Sequence, residues 1–183
     1  MELRDYSVQN VWWKGKEYVN SHKTVSSYIE DLENMYVLLF IQYFIDLNKR
    51  IPDYSKSKKI YFFDPFIYHL FNRIFYFKDS EITPSLVESV AVVHFARFLF
   101  KRMPAGRSLS DFVYYWKNKK ETDIIVRTEE SILAAEVKYQ NEIKKHDSAS
   151  LYHFRTGIII SKDTLIHDAK YPVIPIHLAL CLI

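Results

Sequence analysis

Residues 121–138 read Glu-Thr-Asp-Ile-Ile-Val-Arg-Thr-Glu-Glu-Ser-Ile-Leu-Ala-Ala-Glu-Val-Lys, and their pattern predicts the centre of the fold. Two runs rich in Ile, Val, Leu and Ala flank the polar break 128–131, which is the pattern of two strands joined by a tight connection. The stretch therefore predicts a β-hairpin whose turn is centred between Glu129 and Glu130.

The register of this hairpin determines which charged side chains meet. With the turn centred in this way, Asp123 lies opposite Glu136 and Glu121 lies opposite Lys138. Side chains alternate between the two faces of a strand, so all four share one face. Directly opposed Cβ atoms are about 4.5 to 5.5 Å apart, and like charges at that separation are destabilising.

The opposed carboxylates of Asp123 and Glu136 therefore require a proton or a cation between them. Mg²⁺ is usually bound by one or two carboxylates with retained waters. The pair predicts a metal site, with Lys138 beside it to orient a water or to face a phosphate. The alternative is a solvated strand face whose carboxylates are balanced by Lys138 and Lys120, and the pattern alone favours neither.

Asp123 followed by Glu-Val-Lys at 136–138 resembles the Asp…(Asp/Glu)-X-Lys motif of the restriction-endonuclease-like, or PD-(D/E)XK, nuclease superfamily. More closely, Val-Tyr-Tyr-Trp-Lys-Asn-Lys-Lys-Glu-Thr-Asp-Ile-Ile-Val at 113–126 and Ala-Glu-Val-Lys at 135–138 resemble the C-terminal domain found behind many archaeal and bacterial AAA-type ATPases. The resemblance extends along most of the chain. The superfamily's usual Pro before the motif Asp is Thr122 here.

The resemblance implies roles for four side chains. Asp123 and Glu136 bind the metal, Lys138 assists the attacking water, and an acidic residue of an upstream helix joins them, for which Glu88 is the candidate. Glu88 serves equally well as a first-turn acid that suits the helix dipole. The expected catalytic set is thus Asp123, Glu136, Lys138 and Glu88, and the expected cofactor is Mg²⁺ or Mn²⁺, held by Asp123, Glu136 and Glu88.

The first third of the chain shows helix and strand patterns in the order of a winged helix-turn-helix. Helical spacing of Val8, Val11 and Trp12 predicts a helix over 6–18. Asn20 and Ser21 can cap a second helix. Its predicted apolar side consists of Tyr28, Ile29, Leu32 and Met35.

Apolar runs predict a buried strand over 36–45 and a partner strand over 59–63 that pairs with it, with the basic loop 46–58 between them as a wing. In the ATPase family, the segments that match 24–33 and 59–64 form a winged-helix module. We therefore expect a winged helix-turn-helix domain over 1–66 and a nuclease-like domain over 67–183.

The remaining chain predicts a mixed sheet flanked by helices, which is an α/β fold, α+β overall. Thr83 and Pro84 can begin a helix that runs through Glu88 to about Arg102. A strand over 111–117 precedes the hairpin. A short helix over 147–154, strands over 156–161 and 171–174, and a helix from Pro175 follow it.

Lysines near these elements predict contact with DNA. The net charge of +3 and the pI of about 8.8 are compatible with nucleic-acid binding and do not establish it. The alternative is a solvated loop on a winged helix used for protein contacts. The candidates are Lys23 and Thr24 in the second helix, Lys56 and Lys58 in the wing, Lys117, Lys119 and Lys120 before the hairpin, and Gln140 after it.

Composition excludes several other classes of protein. The single cysteine, Cys181, excludes an intramolecular disulfide and favours a cytoplasmic location. No leader pattern opens the chain, and its apolar runs are shorter than the roughly 20 residues of a membrane-spanning helix. The three glycines form no P-loop, and the seven histidines show no zinc spacing.

Two functions of different classes fit these patterns. The first is a metal-dependent DNA nuclease domain associated with an archaeal-type ATPase. The second is a non-catalytic DNA-binding or regulatory module that docks an AAA-type ATPase through the same fold. The sequence predicts no membrane partner, and it leaves a monomer and a homodimer as open alternatives.

Overall fold

A mixed sheet of eight strands forms the centre of the protein in a computed structural model. The structure describes residues 11–13, 16–19, 22–35, 39–75, 83–102, 108–127 and 131–182. The sheet consists of β3 (Leu39–Asp46), β4 (Ile51–Asp53), β5 (Lys59–Phe62), β6 (Val113–Lys117), β7 (Glu121–Arg127), β8 (Ile132–Lys138), β9 (Thr156–Ser161) and β10 (Val173–Pro175). The mixed α/β architecture is therefore confirmed.

The strands follow the order β10-β9-β8-β7-β6-β3-β4, and β5 also pairs with β3. Strands β6, β7 and β8 form an antiparallel meander, whereas β9 runs parallel to β8 and β3 runs parallel to β6. The interior of β7, 122–126, is buried throughout, because both faces of the sheet are covered.

Helices cover the sheet on both faces. On one face, the buried side of α3 (Thr83–Phe100) packs against Ile124, Val126 and Ala135. On the other face, Leu151 and Phe154 in and beside the 3₁₀ helix Lys145–His153 pack around Ile125 and Ala134. The remaining helices are α1 (His22–Asn34), α2 (Pro65–Phe75) and α4 (Ile176–Leu182).

The hairpin register is confirmed. Ile124 pairs with Ala135, Ile125 with Ala134, Val126 with Leu133, and Arg127 with Ile132. Continuing this register toward the open end of the hairpin aligns position 123 with 136. The apolar runs set the register, because a slip by one residue would move every side chain to the other face. Residues 128–130 of the connection lie outside the described residues.

The predicted helix over 6–18 is wrong where the structure describes it. Strands β1 (Val11–Trp13) and β2 (Lys16–Val19) pair antiparallel as a separate two-stranded sheet. β-branched and aromatic residues make up all of β1 and half of β2, and such residues favour extended backbone. Residues 6–10 and 14–15 lie outside the described residues.

The second predicted helix is confirmed as α1, but its apolar side is narrower than expected. Ile29 is buried against Ile60, with Leu32 packed beside them. Tyr28 and Met35 are exposed. The capping residues at 20–21 lie outside the described residues.

The predicted pairing of the two N-terminal strands is confirmed, since β3 and β5 are antiparallel partners. The wing loop between them contributes β4, a second partner of β3. Strand β3 also pairs with β6, so a single sheet runs across the expected domain boundary at residue 66. The winged helix and this division of the chain stay predictions.

Later elements lie close to their predicted positions. Helix α3 and strand β9 match, and the short helix before β9 is the 3₁₀ helix Lys145–His153. Strand β6 starts two residues later than expected, because the turn Leu109–Asp111 precedes it. Ser108 and Asp111 cap that turn reciprocally. No helix within the described ranges is long and apolar enough to cross a membrane.

Candidate functional site

Four carboxylates converge at the end of the sheet where β7 begins and β8 ends. Glu88 comes from α3, Glu121 and Asp123 from β7, and Glu136 from β8. We call these four residues the acidic cluster. Three of the four were predicted to be site residues, and the structure brings all four around two lysines, Lys59 and Lys138.

A β-bulge shapes the strand that carries Asp123. Tyr114 pairs with Ile125, but Trp116 pairs with Thr122, so β7 has one more residue than β6 between these two pairs. Bulges bend a strand locally and redirect its side chains. Asp123 lies within this irregular segment.

Gln42 of β3 holds the bulge from a fully buried position. Its Nε2 donates hydrogen bonds to the carbonyl oxygens of Tyr114, at 2.9 Å, and Asp123, at 2.7 Å. Its Oε1 accepts a hydrogen bond of 3.0 Å from the Tyr61 hydroxyl. Buried carbonyls need such partners, so Gln42 ties β3 to the main chain at the site.

The Asp123 and Glu136 carboxylates are each held by polar partners. Asp123 Oδ2 accepts a hydrogen bond of 2.9 Å from the Val137 backbone N–H, which links the two strands of the hairpin. Glu136 Oε2 accepts a hydrogen bond of 2.7 Å from the Ser150 hydroxyl, and Lys138 Nζ lies 2.5 Å from Glu136 Oε1. Both carboxylates are thus fixed in orientation.

Both members of this pair ionise less readily than ordinary carboxyls. Burial raises the pKa of Asp123 well above its usual value, and the charges of Glu88 and Glu136 raise it further, against the opposing effect of Lys59. Burial also raises the pKa of Glu136, although Lys138 opposes the shift. The site therefore favours an added positive charge near the pair.

Lys59 is a site residue that the sequence analysis missed. It is 6% exposed. Its Nζ lies 2.8 Å from Glu88 Oε1, 2.7 Å from Glu121 Oε1 and 3.7 Å from Asp123 Oδ1. The available signal was a lysine at the start of an apolar strand, and it did not reveal which residues would surround that lysine.

The charges of Lys59 and Glu121 stabilise each other. Burial alone would lower the pKa of the Lys59 ammonium, but the oxygen of Tyr61 and the surrounding carboxylates outweigh burial and raise it. Burial opposes the ionisation of Glu121, but Lys59 and Lys117 outweigh it, so the pKa of Glu121 is lowered. Lys59 and Glu121 are therefore an ion pair near neutral pH.

The 3₁₀ helix Lys145–His153 docks on the hairpin beside the acidic cluster. Thr122 Oγ1 donates a hydrogen bond of 3.2 Å to the Ser150 carbonyl, in addition to the bond from Ser150 to Glu136. Gln140 Nε2 donates a hydrogen bond of 2.7 Å to the buried Asp147 carboxylate. Gln140, a predicted DNA contact, thus has a structural partner.

The predicted basic contacts divide into two groups. Lys117 ends β6, Lys119 and Lys120 lie in the turn between β6 and β7, and all three are exposed. Lys117 Nζ lies 3.2 Å from Glu121 Oε2. Lys56 is exposed and Lys58 half-buried just before β5. Lys23 and Thr24 lie on α1, and their side chains lie outside what the structure describes.

A divalent ion fits two of the expected ligands better than three. Within the described ranges, no group of three or more His, Cys, Asp or Glu side chains is arranged to hold a metal ion. Glu88, the expected third ligand, has its Oε1 engaged by Lys59 and by the Tyr61 hydroxyl. Asp123 and Glu136 remain, and two carboxylates completed by water are a usual donor set for Mg²⁺.

Asp123→Asn is expected to stabilise the protein at about pH 8 without divalent ions. Because the pKa of Asp123 is raised on folding, the folded state retains a proton that the unfolded chain loses. The retained proton stabilises the folded state fully below pH 3.8, the pKa of an ordinary Asp. This stabilisation is lost as the pH rises through the higher pKa that Asp123 has in the folded protein. Asn cannot ionise, so at about pH 8 the free energy of unfolding of Asp123→Asn should exceed that of wild type by on the order of 1 kcal/mol.

Urea denaturation of both proteins with EDTA, at about pH 5 and pH 8, measures this difference. Asp168→Asn is the control, because that side chain is 87% exposed, and its stability should match wild type. A loss of stability in Asp123→Asn at the higher pH would contradict the expectation.

Comparison with known proteins places the site inside a family. The family described as Domain of unknown function (DUF4143) matches residues 85–177, from the first turn of α3 to α4. This domain occurs in the C-terminal regions of AAA-ATPase-containing proteins, as the sequence resemblance implied. No curated protein and no solved structure matches the chain. Because the match spans half of the chain and includes Glu88, Asp123, Glu136 and Lys138, the protein belongs to the DUF4143 family.

Proposed function

We propose that the protein is a metal-dependent nuclease domain that hydrolyses phosphodiester bonds in DNA in association with an AAA-type ATPase. The observation that carries this proposal is the buried pair Asp123 and Glu136, whose pKa values are raised chiefly by burial, so that their charged forms are disfavoured unless a cation is added. Perturbed carboxyls of this kind concentrate at functional sites.

The order of the strands supports the same function. Tyr115 and Trp116 lie on β6, Asp123 on β7, and Glu136 with Lys138 on β8, and these three strands are neighbours in the sheet. The motif of the restriction-endonuclease-like superfamily requires the Asp and the Glu-X-Lys segment to meet in this way. The bulge and Gln42 hold the Asp123 backbone in place, which is the rigidity that a catalytic site needs.

Each residue has a specific task in the proposed reaction. A divalent ion held by Asp123 and Glu136 would supply Lewis acidity and neutralise charge on a phosphate. Lys138 stays protonated near neutral pH, because Glu136 outweighs burial and raises its pKa. Its ammonium can therefore steady the charge that develops on phosphate oxygens. The exposed Lys119 and Lys120 beside the cluster would contact the DNA backbone.

A second candidate is a non-catalytic module that binds DNA and docks an ATPase. The specific observation in its favour is Lys59, whose ammonium pairs with three carboxylates of the acidic cluster without any metal ion. This candidate predicts binding of DNA with a steep dependence on salt and no metal-dependent turnover.

Calorimetric titration of Mn²⁺ and Mg²⁺ into wild type, Asp123→Asn and Asp168→Asn separates the two candidates. We expect saturable binding to wild type and Asp168→Asn, and a loss of at least about tenfold in affinity in Asp123→Asn. The titration is repeated with a short DNA duplex, because a substrate phosphate can supply a ligand. Equal binding by wild type and Asp123→Asn, or no binding with and without DNA, would overturn the proposed metal site.

A further inference from the structure

We propose that Lys59 is a built-in cation of the acidic cluster, whose ammonium takes the position of a second metal ion and limits the site to one divalent ion. This inference rests on the proposed function for the remaining ion. Lys59 acts as a positioning residue, because it holds Glu88, Glu121 and Asp123 and has no assigned contact with substrate.

Carboxylate oxygens surround the Lys59 ammonium as they would surround a bound cation. Lys59 Nζ lies within 2.8 Å of carboxylate oxygens from both α3 and β7, and 3.7 Å from Asp123 Oδ1. These oxygens come from three different side chains, as in the first shell of a bound cation. A buried ammonium is costly unless it is paired and hydrogen-bonded, and these carboxylates satisfy it.

The position of Lys59 in the sheet keeps its side chain at the acidic cluster. Lys59 is the first residue of β5 and pairs with Gln42 of β3, which in turn pairs with β6. Its side chain is 7% exposed, and its ammonium lies 5.6 Å from the centre of the Tyr115 ring. A lysine on a surface loop would swing into solvent, whereas this one is held by the sheet.

The formal charge of the site also matches one divalent ion when Lys59 is present. The acidic cluster contributes four carboxylates, and the buried Lys59 and half-buried Lys138 contribute two ammonium groups. Lys117 also pairs with Glu121, but its side chain is 51% exposed and solvent screens its charge, so it does not count toward the buried charge. With the four carboxylates and the two ammonium groups ionised, the formal charge is minus two, which one divalent ion would neutralise. Without Lys59 the same site would carry minus three, and a second divalent ion would then be favoured at Glu88 and Glu121.

The test replaces Lys59 with methionine, which keeps the length of the side chain and removes the charge. Lys117→Met is the matched control, because Lys117 also pairs with Glu121 but its side chain is 51% exposed. For both variants and wild type, calorimetry gives the number of Mn²⁺ ions bound, and thermal unfolding is recorded in EDTA and in Mn²⁺.

In Lys59→Met we expect the Tm in EDTA to fall by about 6 to 12 °C, because the carboxylates lose their cation. Mn²⁺ should restore most of this loss, and the number of ions bound should rise from one to two. Lys117→Met should match wild type in both measurements. An unchanged number of ions together with no Mn²⁺-dependent recovery of the Tm would overturn the proposal.

A double variant covers the case in which Lys59→Met does not fold. Lys59→Met with Glu121→Gln removes one charge of each sign, and it should fold in EDTA and bind one ion. Failure of the double variant to fold, or its binding of two ions, would overturn the proposal.

The result in wild type separates this inference from the proposed function. One ion in both wild type and Lys59→Met, with no recovery of the Tm, rejects the role of Lys59 and leaves the nuclease site standing. No ion in wild type, with or without DNA, rejects both the metal site of the native protein and the proposed limit of one ion, even if Lys59→Met binds Mn²⁺.

Discussion

Glu136→Gln is expected to lower the rate of metal-dependent DNA cleavage by at least about a hundredfold. Glutamine preserves the size of the side chain and an acceptor for the Ser150 hydroxyl, but it removes the charge that pairs with Lys138 and would bind the ion. Because burial already disfavours the charge of Glu136 and raises its pKa, the fold should survive the change. Cleavage is measured on duplex, branched and single-stranded DNA with Mg²⁺ or Mn²⁺.

Glu142→Gln is the matched control for this experiment. Its carboxylate lies six residues further along the chain, is exposed, and lies outside the acidic cluster, so its cleavage rate should equal that of wild type. Thermal unfolding of both variants shows whether they are folded. Undiminished cleavage by Glu136→Gln, in a preparation shown to be free of contaminating nuclease, would reject the catalytic role of this residue.

Gln42→Leu is expected to destabilise the protein by about 2 to 5 kcal/mol. Leucine fills a similar volume but leaves the buried carbonyls of Tyr114 and Asp123 without the amide that satisfies them. The Tyr61 hydroxyl also loses one acceptor, although its 2.7 Å contact with Glu88 remains. Because the carbonyls lie at the β-bulge, we also expect the affinity for Mn²⁺ to fall in the molecules that remain folded.

Urea denaturation at neutral pH measures this change in the free energy of unfolding. The control is Asn118→Leu, which replaces another side-chain amide but in an exposed turn, and it should shift stability by no more than about 0.5 kcal/mol. A Gln42→Leu variant as stable as the control would show that the bulge does not depend on the buried amide.

Local pattern was sufficient for the hairpin at the centre of the fold. The apolar runs on either side of 128–131 specify the two strands, and centring their connection between Glu129 and Glu130 specifies the register. The alignment of Asp123 with Glu136 follows from that register. At 11–19 the helical spacing of apolar residues gave a wrong prediction of a helix, because strand-forming residues there favour extended backbone.

Contacts between segments that are distant in the chain could not be predicted from the pattern of neighbouring residues. Lys59 is 29 residues from Glu88 along the chain, and Gln42 is 81 residues from Asp123. The residues beside Lys59 do not distinguish it from Lys56 and Lys58, which were predicted to contact DNA. Its role depends on the pairing of β3 with both β5 and β6, which brings the start of β5 to the acidic cluster.

The hairpin, its register and the presence of a carboxylate on each of its strands follow from the alternation of neighbouring residues. The cation that meets those carboxylates within the protein depends instead on how distant segments pack. Electrostatic energy depends on distance in space and on burial, and the chain brings Lys59, Glu88, Glu121 and Asp123 together only when the sheet and α3 have packed.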